Sequence, residues 1–404
     1  MHQQPLFAGV DWATKTHAVC IVAADGAIRA RFEVPNTGKT FTGLVKRLGK
    51  LQVAGVAIER GDGPLVEAML EAGLRVVVIT PRQVKAVRTR YGASGAKSDP
   101  GDAYVLADCL RTDGHRLAAL TPDSEQTKIL RALSRTRKDL VKARVALVNQ
   151  LTAQLDRCFP GAVGLFARLD SAVAVAFLRR YPTWHAQQLT EARLDAFLRR
   201  IAYSGRRPVG ELLARLHQAP AAGITPTEAS GRAACVHALL EAIQTLSGQE
   251  KELAGELTER LEAHADAIVF TSLPRAGRGV RAAALLSEIG DVRQRFPDEQ
   301  ALAALSGVAP VTRASGTHHS VGFRWACDKQ LRAALIDFAD DSRHASPWAA
   351  KVYADALART RRHPHAARIL ARAWVRVIWR IWQDHTSYDP AKHRGAVRLL
   401  ATQG

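Results

Sequence analysis

Two short stretches, Phe7-Ala-Gly-Val-Asp-Trp12 and Val53-Ala-Gly-Val-Ala-Ile-Glu59, decide the reading of the N-terminal third. Each is an apolar run of the length a buried strand needs, and each ends in an acid. Working outward, His17 to Ala23 and Ala27 to Val34 read as two more strands, joined through the hairpin dipeptide Asp25-Gly26. Thr40 to Leu51 reads as a helix, and Pro64 to Ala72 as a helix opening on proline. Leu74 to Thr80 is a fifth strand, followed by a helix over Pro81 to Arg90. Three strands, helix, strand, helix, strand, helix: this order predicts a mixed α/β sheet covered by helices.

That order is the one of the ribonuclease H-like fold, and it gives the acids a purpose. Asp11 ends the first strand and Glu59 ends the fourth. Gly95-Ala-Lys-Ser-Asp-Pro-Gly-Asp-Ala103 follows; a helix begun near Asp99, with Pro100 in its first turn, projects Asp99 and Asp102 to one side. Four carboxylates converging on one pocket repel one another unless cations neutralise them. Oxygen-only ligation suits Mg²⁺ or Mn²⁺. Two such ions, about 4 Å apart, clamp the attacking and leaving oxygens of a phosphodiester. Singly, a strand-end Asp reads as a turn former and a DxxD as a helix cap; the metal reading rests on all four placements together. Asp62 is an alternative to Glu59, less rigidly held between glycines. Asp108 and Asp113 read as helix surface and turn, Lys97 as a surface lysine that a phosphate could reach, and His17 as facing a strand neighbour.

The chain has 404 residues, with 57 Lys+Arg against 38 Asp+Glu and a formal net charge of +19. The excess points to nucleic acid before membrane or acidic protein, and is concentrated in residues 271–404, with 21 basic against 11 acidic residues. Cys20, Cys109, Cys158, Cys235 and Cys327 lie far apart without a CxxC, which excludes a zinc ribbon and a disulfide scaffold and fits a reducing cytosol. No signal sequence or membrane-length apolar run is legible, so a cytoplasmic protein acting at the nucleoid, without membrane contact, is expected. Three regions are expected: 1–120, the sheet domain; 121–270, helical with an insertion; and 271–404, mainly helical.

In the middle region, Leu133, Leu140 and Leu147 recur every seven residues, as do Val141, Val148 and Leu155, within a Gly- and Pro-free run from Glu125 to Phe159. Glu228 to His264 repeats the pattern with Leu239, Leu246 and Leu253. Two long helices of coiled-coil pattern are expected to pair as a hairpin, forming either part of one helical core or an oligomerisation arm. Arg135, Arg137, Lys138, Lys142 and Arg144 are expected to stripe the outer face of the first. Further on, Gly277-Arg278-Gly279 turns straight into a helix, similar to a helix-hairpin-helix, where turn amides approach a DNA phosphate. Gly307-Val-Ala-Pro-Val-Thr-Arg-Ala-Ser-Gly-Thr317 reads as a polar loop carrying Arg313 and an open Ser315-Gly316. Ser-Gly is first a turn dipeptide, although a nucleophile needs such openness. Finally Arg368, Arg372, Arg376 and Arg380 recur every four residues opposite Leu370, Trp374, Val377 and Ile381, an arginine row suited to a phosphate backbone. Trp379 and Trp382 read as core.

Together, Gly9-Val-Asp-Trp12, Ile58-Glu59, Lys97-Ser-Asp-Pro-Gly-Asp-Ala103, the Gly277-x-Gly279 lead-in and Ala309-Pro-Val-Thr-Arg-Ala-Ser-Gly316 resemble the insertion-sequence 110 family, the DEDD transposases. The resemblance runs from about residue 7 to residue 340. It implies a RuvC-like domain followed by a C-terminal transposase domain. It also implies Asp11, Glu59, Asp99 and Asp102 as the metal-binding tetrad, and Ser315 as a nucleophile forming a transient phosphoserine link to DNA. The resemblance further implies guidance by a structured RNA from the element's own non-coding end and action as a tetramer; for this chain a homo-oligomer, dimer or tetramer, is expected. Here Glu59-Arg-Gly-Asp replaces the commoner Glu-x-Thr-Gly lead, which leaves the role of Asp62 open. The leading reading is a DNA transposase that cuts and rejoins donor and target DNA through serine and metal. The alternatives are a RuvC-type Holliday-junction nuclease using water as nucleophile, and a non-catalytic nucleic-acid binder. Ser315 ranks before Ser320 as nucleophile, with Ser306 a structural turn.

Overall fold

The computed structural model describes residues 4–91, 98–183, 189–277, 279–316 and 318–401; Lys97 and Arg278, singled out above, lie outside them. The chain forms two compact units, residues 1–122 and 123–404.

The first unit begins with a meander of β1 (Leu6–Asp11), β2 (Thr16–Ala23) and β3 (Ile28–Pro35). Gly26, at φ +86°, turns the chain between β2 and β3 in a conformation that costs glycine little. Then come α1 (Gly38–Lys50), β4 (Gly55–Ile58), α2 (Pro64–Glu71), β5 (Val76–Val78), α3 (Pro81–Arg88) and α4 (Asp99–Asp113). The strands lie in the order β3-β2-β1-β4-β5. The meander is antiparallel, and β4 and β5 join it in parallel. Strand alternation divides the side chains between two faces. Ala8, Val10, Ile21, Val56 and Ile58 pack with Phe41, Leu44 and Leu48 of α1 and Leu65 and Met69 of α2. The other face receives α4 through Ala103, Leu106 and Ala107. That helix sits so close to β1 that a Cβ on Gly9 would lie 2.1 Å from the Ala103 carbonyl oxygen and 2.5 Å from the Ala107 nitrogen.

The second unit opens on α5 (Glu125–Cys158), which starts at Ser124, whose hydroxyl accepts from the Thr127 amide. α6 (Ala172–Arg180), α7 (Glu191–Arg200) and α8 (Val209–Gln218) lead to α9 (Pro226–Glu262). α5 and α9 run antiparallel, fixed by Arg144 to Glu250 at 2.7 Å near the middle and Arg232 to Gln154 at 3.2 Å towards one end. At that end Leu151, Leu155, Val236 and Leu240 share a small core with α6 to α8. At the other, Leu130, Leu257 and Leu261 belong to the larger core built around Phe270, Leu285 and Trp374. The division expected at residue 270 therefore runs through one hydrophobic core, because the long helices carry apolar residues into both ends.

The unit continues with α10 (Ala267–Thr271), α11 (Val280–Ile289), α12 (Glu299–Leu305), β6 (Val311–Ser315) and β7 (His318–Gly322). α13 (Lys329–Ser342), α14 (Pro347–Thr360), α15 (His363–Gln383) and α16 (Arg394–Ala401) complete it. The segment expected as a polar loop around Ser315 is thus a two-stranded hairpin, with Gly316 at φ +55° in its turn. Among the described residues no helix is long and apolar enough to cross a membrane.

Candidate functional site

The parallel register of β1 and β4 brings two of the expected acids together. Val10 pairs with Ile58, so Asp11 and Glu59 are the next residues at adjoining strand ends. Gly9 and Ala57, two residues earlier on each strand, meet α4, and alternation sends Asp11 and Glu59 to that same face. Ser98 caps α4, its hydroxyl accepting from the Gly101 amide, and Pro100 fills the first turn, which sets Asp99 and Asp102 one turn apart. Asp102 is buried and ion-paired to Arg88 of α3, while Asp99 is exposed. Among the described residues no three Asp, Glu, His or Cys side chains are grouped closely enough to hold a metal ion. The expected convergence of four carboxylates is therefore incomplete, because Arg88 neutralises Asp102 and Asp99 faces solvent. The donor chemistry still fits a hard cation: the set offers carboxylate oxygens alone, and buried Asp102 already has a cation beside it.

The surroundings hold the strand end in place. Buried His17 accepts from the Ala13 amide through Nδ1 at 3.2 Å, which anchors the chain just past Asp11. Burial pushes the His17 pKa down, so the ring is neutral and able to accept. Asp62 is exposed and turned to Arg60 at 3.0 Å, whose guanidinium lies 4.6 Å from the Trp12 ring centre. Asp108, expected on the helix surface, is instead buried, bonded by the Tyr91 hydroxyl and by Arg111 at 2.7 Å. Arg88 escaped sequence reading because its partner is set by the packing of α3 on α4, and Asp108 reads as surface because nothing local shows that Tyr91, just past α3, covers it.

In the second unit, Ser315 ends β6 opposite His318 and is exposed, as is Arg313. Ser320 is half-buried and paired with Arg313 in the ladder. Ser306 is fully buried and donates to the Leu302 carbonyl at 2.8 Å, a helix-end contact. Gly277, at φ +58°, and Gly279, the residue before α11, leave open space where a Cβ would stand. Arg275 and Arg281 beside that turn both bond Asp341, at 3.0 and 2.7 Å.

The charged rows differ from expectation. Arg135 is paired with buried Glu288 at 2.7 Å, and Arg144 with Asp170 and Glu250, so these two are internal ties. On α15 the four-residue spacing holds, yet Arg372 and Arg376 both reach Glu299 (3.4 and 3.1 Å) and Arg380 reaches Asp384 at 2.6 Å. Arg368 instead stacks on Phe323, its guanidinium 4.3 Å from the ring centre. The expected uniform arginine row is thus largely neutralised along its C-terminal part. Trp382 is fully buried, and Trp379 donates to the Phe296 carbonyl at 2.9 Å.

Comparison with known proteins extends these observations. Residues 8–160 match a family model described as a transposase, that of the DEDD domain of IS110 elements. Residues 268–354 match one described as the transposase of the IS116/IS110/IS902 family. The chain is 32% identical over 403 residues to a mini-circle putative transposase for IS117 from Streptomyces coelicolor, covering 95% of both chains. It is 29% identical over 350 residues to an uncharacterized 43.6 kDa protein of insertion element IS110 from the same species, covering 84% of this chain and 83% of the relative. It is 28% identical over 398 residues to an uncharacterized 42 kDa protein of insertion element IS900 from Mycobacterium paratuberculosis, covering 96% and 98%.

Proposed function

The chain belongs to the insertion-sequence 110 family of transposases, and from that premise we propose that it cuts and rejoins donor and target DNA with Ser315 as nucleophile and the acids of a RuvC-like first unit as its metal ligands. The observation that carries the reading is the register of β1 and β4, which sets Asp11 and Glu59 side by side on the face that α4 covers with Asp102. Asp11, Glu59, Asp99 and Asp102 would hold Mg²⁺ or Mn²⁺, two ions in this reading. Such ions stabilise the negative charge that builds on a phosphorane.

Ser315 is exposed at the end of a hairpin strand, where its Oγ has open access. Its Oγ–P bond forms as one P–O ester bond of the DNA breaks, releasing a deoxyribose hydroxyl. A hydroxyl of the exchanging strand then attacks the same phosphorus and frees the serine. Each step makes one phosphoester for the one it breaks, so rejoining needs no ATP. Gly277, Gly279, Arg278 and Arg313 remain candidates for phosphate contact, with Arg368, Arg372, Arg376 and Arg380 on α15. A structured RNA from the element is the proposed guide. The half-buried Leu140, Val141, Leu147 and Val148 on α5, with Leu246 and Leu253 on α9, support assembly into a dimer or tetramer through this arm.

The test is covalent trapping. The protein is incubated with Mg²⁺, the structured RNA flanking its gene and labelled junction DNA, then denatured. A label carried on the wild-type chain, and lost in both Ser315→Ala and Asp11→Ala, is the expected result. Cleavage without any adduct, unaffected by Ser315→Ala, would instead assign a nuclease that uses water.

A further inference from the structure

A cleft of about 770 Å³ lies between the base of the β6–β7 hairpin and the first half of α15. Its walls carry Phe323, Arg324, Arg362, His365, Arg368 and Arg372. The charge there is uneven. Arg372 is matched by Glu299, but among the described residues no carboxylate pairs with Arg324, Arg362 or Arg368, nor with the adjacent Arg332. Among the described residues, Arg324 reaches the Ala309 and Pro310 carbonyls alone, at 3.3 and 3.5 Å. Arg368 and Arg332 crowd the same ring, 4.3 and 4.7 Å from the centre of Phe323, and the Arg368 Nε is buried with no acceptor among the described residues. Burial and the nearby Arg332 both push the Arg368 pKa down, as expected where like charges meet without an anion between them. The N-terminal end of α15, a 21-residue helix, adds its own partial positive charge.

Beside these cations stands Trp325, 76% exposed, edge-on to Phe323 at 4.7 Å between ring centres. The other described tryptophans are buried or half-buried. A large apolar ring held in water beside uncompensated guanidinium groups pairs the two surfaces that an unpaired nucleotide offers, a π-face and a phosphate. Duplex DNA hides its bases in the stack and offers only the second.

We propose that this cleft binds an unpaired segment of nucleic acid, with a phosphate held by Arg324, Arg362 and Arg368 and a base stacked on Trp325. It rests on the reading above only in that the second unit handles nucleic acid. It deepens that reading by assigning unpaired strand, not duplex, to the cleft below Ser315.

The experiment is a binding titration with the full chain carrying Ser315→Ala, in EDTA, so that neither cleavage nor metal enters. The probes are fluorescently labelled dT12, rU12 and a 12-base-pair duplex. Tighter binding of one or both single strands than of duplex is expected, and the tighter of the two names the source, DNA or RNA. Trp325→Ala should weaken single-strand binding by about 5-fold to 100-fold, with Trp325→Phe restoring most of it. Arg362→Gln, an exposed change, should lower the slope of log affinity against log salt by about 0.7 for one lost phosphate contact. Equal affinity for duplex and single strands, with Trp325→Ala without effect, would overturn the proposal. A failure of the trapping assay leaves this titration untouched, so the two readings fall separately.

Discussion

At the scale of single residues, the pair Arg88–Asp102 decides how the acidic face behaves. Asp102 is buried, and a buried carboxylate needs either a cation or a proton. Arg88 supplies the cation. A guanidinium and a divalent ion are alternative partners for the same oxygens, so Arg88 and metal should compete. Arg88→Ala is expected to lower the stability of the metal-free chain on the order of 3 kcal/mol, the cost of leaving the carboxylate alone. It should also shift the Mn²⁺-dependent rise in Tm to lower Mn²⁺ concentration. Thermal melts across a Mn²⁺ series check both halves. An unchanged or weaker Mn²⁺ response in the variant would mean that Arg88 does not contest the site. Little of this was legible beforehand. Asp11, Glu59, Asp99 and Asp102 stand out because strand ends and a helix start are local signals, whereas Arg88 is one of several cations on α3 and its partner is set by packing.

At the scale of elements, two packing relations hold the candidate site and the helical arm. α4 reaches the sheet only because residue 9 has no side chain. Gly9→Ala drives a methyl into the backbone of Ala103 and Ala107, so the helix must move. A loss of about 1–3 kcal/mol is expected in chemical denaturation, and the shift of Asp102 should abolish the covalent adduct. Arg144 ties α5 to Glu250 of α9 and to Asp170 before α6, with all three side chains mostly buried. Arg144→Ala leaves Glu250 buried without its cation, while Asp170 keeps Arg168 at 2.8 Å. It should cost about 3–5 kcal/mol, read as a lowered denaturation midpoint. An unaltered midpoint would show that water reaches Glu250. Such elements were legible to the degree that their periodicity is strong. The five strands and the two long helices follow from apolar runs and heptads. The β6–β7 hairpin did not, because Thr312, Arg313, Ser315 and His319 are exposed and give no alternation to read. The α15 arginine row was visible as spacing, but Glu299, which cancels two of its charges, lies on another helix.

At the scale of the whole molecule, each unit carries histidine whose protonation opposes the fold. Buried His17 lies in the first, and buried His264 and half-buried His393 in the second. Burial pushes all three below the ordinary histidine value of 6.5. For His264 the geometry agrees: Nδ1 accepts from the Asp266 amide at 3.0 Å, which leaves the proton on Nε2 to donate to the Thr127 hydroxyl at 2.9 Å. A second proton would break the first bond. Below about pH 6.5 the unfolded chain takes up protons that the folded chain refuses, so stability is full above that pH and falls as the solution is acidified through it. The carboxylates act in a separate window. Arg168 holds Asp170, and Arg275 holds Asp341, below the ordinary aspartate value, so their contribution is lost only in stronger acid. Calorimetric melts at pH 7.5, 6.5 and 5.5 should therefore show a falling Tm that is not due to the ion pairs. His264→Gln, which keeps a hydrogen-bonding side chain without the titration, should flatten the slope. A Tm constant from pH 7.5 to 5.5 would mean that these rings accept a proton in place, and that the cores around them are wetter than their burial implies.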